Sequence, residues 1–143
     1  MGNQIYSFLL LKSLYEPAAV FENLSKADPS PFTVLFRYSL WLVILPPLFA
    51  YIGASNFGWR LGADEPLMMA RESLIIISLG YFWVLVVGLI TTSIISQWMA
   101  TTYGAAASLG RHMALITIVG EPLAIGSLAH LFPNVFMNIL VMI

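Results

Sequence analysis

Residues 73–110 run for thirty-eight positions without an Asp, Glu, Lys or Arg, between Glu72 and Arg111. Crossing a hydrocarbon core takes about 20 predominantly apolar residues. Residues 74–95 supply them before the chain turns polar at Gln97. A helix apolar on all sides belongs in the interior of a bilayer or a large core, and in a chain this short it reads as a membrane span. Whatever the protein does is done in or against a membrane.

The whole composition agrees. Charged residues make up 9% and hydrophobic ones 59%, against about 25% and 45–50% in soluble domains. A net charge of -1 with singly scattered basic residues leaves no electrostatic footprint for nucleic acid. The absence of cysteine excludes disulfides, thiolate nucleophiles and Cys-ligated metals. The apolar run 5–11 is short, has no basic residue ahead of it and is closed by Lys12, unlike a cleavable signal peptide. Tyr6 stands where a myristoylation signal needs Ser or Thr.

The expected fold is all-α: a polytopic helical membrane protein with about four visible spans and a short amino-terminal interfacial helix. Residues 1–30 form the interfacial segment and residues 31–143 the transmembrane domain. Pro17 suits a first helical turn, and Val20, Phe21 and Leu24 share a face, as in a helix lying on headgroups. The Asp28-Pro29-Ser30-Pro31 stretch then re-aims the chain. The first span covers about 31–52, with Arg37 able to snorkel and Pro46-Pro47 kinking or ending it. Asp64 and Glu65 before Pro66 read as a helix start, so the second helix runs from about 66 to 103 unless it breaks near Ser96 and Gln97.

A third span, about 112–131, is interrupted at Gly120-Glu121-Pro122. After a turn at 130–134, residues 135–143 open a fourth span that stops short; alternatively, 122–143 form one span kinked at Pro133. Lys12, Lys26, Arg37 and Arg111 fall on the amino-terminal side and Arg60 and Arg71 on the other. This bias favours a cytoplasmic amino terminus.

Glu121 is the sharpest candidate. A carboxylate in mid-membrane is expensive and by default functional, and Pro122 frees the carbonyl of Ile118 beside it. The pair could hold a proton or cation. The structural alternative has Glu121 protonated, or hydrogen-bonded to Thr91, Thr92 or Thr117, and is preferred because no second acid stands at that depth. His112 and His130 lie roughly 27 Å apart on one helix, too far to share a metal. Gly80 with Gly88, Ala100 with Gly104 and Ser108, and Gly120 with Ala124 are spaced for close helix packing. They specify contact, within the chain or with a partner, and no chemistry. No P-loop, HExxH, GxSxG or GxGxxG motif occurs, so the chain reads as a non-enzyme that needs no cofactor or metal.

Four segments together, LLLKSLYEPAAVFENLSKADPSP, LPPLFAYIGASNFGWRLG, TTYGAAASLGRHMALITI and EPLAIGSLAHLFPNV, resemble the bacterial branch of the Yip (Ypt-interacting protein) domain family. The resemblance implies five spans and a cytoplasmic amino terminus. It also implies that Pro17, Pro47, Gly53, Gly104, Pro122 and Pro133 are structural positions. Eukaryotic members bind prenylated Rab-type GTPases; the resemblance carries over no catalytic residue, and Glu121 departs from the small or hydroxyl residue that the family shows ahead of the third-span proline.

Three functions remain open. The first is a membrane scaffold or binding partner, self-associating or joined to other membrane proteins in the bilayer. The second is an accessory subunit of a larger complex in the bacterial inner membrane. The third is an ion or solute transporter that uses Glu121 in a broken third span.

Overall fold

The computed structural model describes residues 12, 15–26, 28–60, 65–105, 108–134 and 139. The stretch 5–11 and the fourth span at 135–143, Ile139 aside, lie outside the described residues, so neither four nor five spans can be counted. Among the described residues the regular structure is helical, and three helices are long and apolar enough to cross a membrane.

Helix α1, Pro17–Lys26, follows the predicted pattern. Val20 and Leu24 are buried inside the protein and Phe21 is exposed, so the stripe anchors the helix to its own unit. On the exposed face Lys26 pairs with Glu22 at 2.6 Å, one turn away.

The first span, α2, is Pro31–Phe57. It is not uniform. Leu35–Ser39 form a π-helical turn in which the amide of Leu40 donates to the carbonyl of Leu35, the α-helix returns for Leu40–Val43, and after Ile44 it resumes for Leu45–Phe57. The expected end near residue 52 is wrong, and the reason is where the prolines fall. Pro46 and Pro47 occupy the first positions of the resumed helix, where a missing N–H costs nothing because that group has no intrahelical partner.

Helix α3, Arg71–Thr102, has 32 residues without a break, about 48 Å at 1.5 Å per residue. It starts five residues after Pro66. Leu67 is held extended by a reciprocal backbone pair with Trp59, with N···O distances of 2.9 and 2.8 Å, and Glu72 supplies the first-turn carboxylate. Nor does the helix break at Ser96. Ser93 donates to the carbonyl of Leu89, and Thr101 and Thr102 both donate to that of Trp98, which hides these hydroxyls on their own helix. Gly104 ends it at φ 78°. The amide of Ala105 bonds back to Ala100 and that of Gly104 to Thr101, the paired bonds of a Schellman C-cap.

Helix α4, Leu109–Gly126, carries Pro122 inside it. The interruption expected at Gly120-Glu121-Pro122 does not occur; the helix tightens into a 3₁₀ turn only at Ser127–Leu131. A proline withdraws one intrahelical bond, which a buried span tolerates when its surroundings satisfy the freed group. Among the described residues 122–134 do not form one continuous helix either, and Pro122 lies inside α4 rather than at the start of a span. The regular helix ends at Leu131, and the amide of Arg60 bonds the carbonyl of Pro133 at 2.9 Å.

The chain divides into two compact units, Met1–Trp41 with Val87–Pro122 and Leu42–Val86 with Leu123–Ile143. In the first, a Cβ on Gly110 would collide with the carbonyl of Pro29, so backbone meets backbone there. In the second, Gly53 lies against the carbonyls of His130 and Leu131 in the same way, and Phe57 stacks on Phe132 at 5.9 Å.

Candidate functional site

Buried polar side chains collect in the first unit. Ser39, Ser93, His112, Thr117 and Glu121 are all buried there, supplied by α2, α3 and α4. Burying a hydroxyl without a partner costs about 1–3 kcal/mol in proteins, so the partners matter. Ser39 closes the π turn, and its Oγ lies 2.6 Å from Thr117 Oγ1. Thr117 also donates to the carbonyl of Met113 at 2.8 Å. A hydroxyl has one proton, so with that proton committed to Met113, Ser39 donates to Thr117. The widened turn thus brings a span-one hydroxyl onto span three, and π turns often mark functional positions.

A second pair lies further towards the start of α4. Ser96 Oγ is 2.9 Å from His112 Nδ1, while His112 Nε2 is buried without a hydrogen-bond partner among the described residues. A neutral imidazole has one donor and one acceptor. Whichever tautomer is present, one capacity faces the interior unused.

Glu121 is 3% exposed and belongs to this unit. The spacing of Met113, Thr117 and Glu121 puts them on one i, i+4, i+8 row of α4, so the carboxyl lies one turn beyond the Thr117 hydroxyl. Pro122 beside it is exposed. Ser39, Ser96 and His112 are the residues that sequence reasoning missed as participants. A serine or histidine in an apolar run carries no sign of its partner, and a π turn leaves no local signature.

The predicted packing residues divide. Gly80, Gly88 and Gly120 have no described atom near the place a Cβ would take, and Gly104 is a turn residue. Ser108 caps α4: its Oγ accepts the amide of Arg111 at 3.3 Å. Ala124 is buried in the second unit. There His130 stacks on Tyr81, ring centroids 6.4 Å apart. Among the described residues no three of His, Asp and Glu gather as metal ligands do.

The profile of the Yip1 domain family matches residues 11–143. The chain is similar to inner membrane protein YohC of Escherichia coli strain K12, with 26% identity over 105 residues, covering 73% of this chain and 54% of that protein. The same protein from Escherichia coli O6:H1 gives the same values. The chain therefore spans about half the length of the relatives it matches. No solved structure matches it. A profile match over nearly all of the chain and three apolar spans agree: the chain belongs to the Yip1 domain family of membrane proteins.

Proposed function

We propose that this protein is a non-enzymatic scaffold or binding partner in the bacterial inner membrane, with its amino terminus in the cytoplasm. The observation that carries the reading is the open space over Gly80, Gly88 and Gly120. Small residues let helices approach closely, and here those places face no described atom. Large apolar side chains lie near Gly80 and Gly88 on α3: Trp83 is 61% and Val84 69% exposed. The relatives' inner-membrane name and the excess of basic residues on the amino-terminal side support the location and orientation.

Crosslinking of the full-length protein in native membranes tests this. A crosslinked species that Gly80→Leu with Gly88→Leu removes is expected; a chain that stays monomeric in mild detergent and catches no partner overturns it. Copurification at fixed stoichiometry with one dominant complex would identify an accessory subunit instead.

A second reading rests on Glu121. Its burial on a row with Thr117, which meets Ser39, favours a proton or cation pathway. Proteoliposomes loaded with a pH-sensitive dye decide it: proton flux lost in Glu121→Gln supports transport, and flux absent from the unsubstituted protein ends the idea.

A further inference from the structure

A groove of about 330 Å³ runs between α2 and α3 in the second unit. Ile44, Leu48 and Tyr51 form one wall and Ile75, Leu79 and Phe82 the other. Both walls follow i, i+3/i+4, i+7 spacing, so each is a single helix stripe. Arg71 precedes Ile75 by one turn on the same stripe. Its Nε–H donates to Tyr51 Oη at 3.3 Å, which fixes the guanidinium at the Tyr51 end of the groove. Arg71 is exposed, and no carboxylate among the described residues pairs with it.

We propose that this groove seats one acyl chain of an anionic phospholipid whose phosphate rests on Arg71. Three observations fix the occupant. The walls are apolar and open to the side, as a hydrocarbon chain entering from the bilayer requires. The groove lining from Ile75 to Phe82 spans about 10 Å of helix, and with Arg71 one turn above it the guanidinium and groove together reach about 16 Å, close to the roughly 15 Å of half a hydrocarbon core. A guanidinium that pairs with no carboxylate among the described residues stands at its interfacial end, where a headgroup phosphate lies, and Arg matches phosphate oxygens in a bidentate fork. Tyr51 belongs to both parts, with its ring in the wall and its hydroxyl holding Arg71. The inference is independent of the scaffold reading, since it concerns a different face of α3 from Gly80 and Val84.

The test uses the full chain in nanodiscs of equal phosphatidylglycerol and phosphatidylcholine with identical acyl chains, with retained lipid read by native mass spectrometry. One phosphatidylglycerol per chain is expected, favoured about five-fold, the factor that one basic side chain at an anionic surface supplies. Arg71→Gln should reduce the preference to none, and Arg71→Lys, which keeps the charge, should preserve it. Ser78→Phe, which fills the groove from its lining, should release both lipids. Soluble glycerol phosphate, a headgroup without chains, should not compete. The proposal is overturned if Arg71→Gln keeps the preference or Ser78→Phe keeps the lipid. It is equally overturned if glycerol phosphate displaces the lipid, or if Ser78→Phe splits a dimer while lipid retention is unchanged, which would make a second copy of the chain the occupant.

Discussion

Thr117 shows how much one hydroxyl can carry in a span. It satisfies the Met113 carbonyl and accepts from Ser39, so Thr117→Val leaves Ser39 with only the Val34 carbonyl, at 3.3 Å. The expected loss is about 0.5–1.5 kcal/mol, the net contribution of one hydrogen bond, measured by reversible denaturation in detergent micelles. Adding Ser39→Ala should cost less than the two single losses summed, because both changes break the same Ser39–Thr117 bond. Ser96→Ala should be costly by the same logic, since it strips His112 of its described partner. The glycines separate at this scale. Gly110→Ala must push the Pro29 carbonyl away and should lower the melting temperature, whereas Gly120→Ala meets open space and gains about 0.5–1 kcal/mol of helix propensity. Equal melting temperatures for the two would show that the Pro29 contact is not close.

The elements turn on how each proline or glycine is seated. In the sequence Pro46-Pro47 and Pro122 read as helix disturbances and Pro66 as a helix start, and their effects differ because the cost of a missing N–H depends on whether that N–H had a partner. Pro46 and Pro47 begin a helical segment, Pro66 precedes an extended pair at Leu67, and Pro122 is absorbed within α4. Pro133 lies where the sequence places a turn, and Pro29 and Pro31 lie where it places a break, between the helix that ends at Lys26 and the one that starts at Pro31. Gly104, spaced from Ala100 and Ser108 for packing, is the αL cap of α3. A Cβ in the left-handed region costs roughly 1–2 kcal/mol, so Gly104→Ala should loosen the end of α3. Faster amide exchange at Ala105, with exchange in the middle of α3 unchanged, would register it.

For the whole molecule, the orientation is testable because the chain has no native cysteine. Single substitutions Lys26→Cys and Arg60→Cys flank one span, so an impermeant maleimide applied to intact spheroplasts should label position 60 and spare position 26. Labelling of position 26 alone would invert the topology. Equal labelling of both would mean that α2 does not cross. The same pair of sites bears on the lipid groove, since Arg71 belongs to the Arg60 side of the membrane.

The sequence by itself determined the solvent, the three long apolar helices and the family, because each of these is written in local composition and spacing: a charge-free run, an amphipathic stripe at Val20 and Leu24, signposts of proline and glycine. The tertiary structure alone decided the rest. The Ser39–Thr117 bond joins residues 78 positions apart, and the π turn that serves it contains no proline or glycine to announce it. The backbone contacts under Gly53 and Gly110 and the Arg71–Tyr51 bond over the apolar groove are of the same kind. Each depends on which surfaces meet once the helices have packed, and periodicity along one helix holds no record of its neighbour.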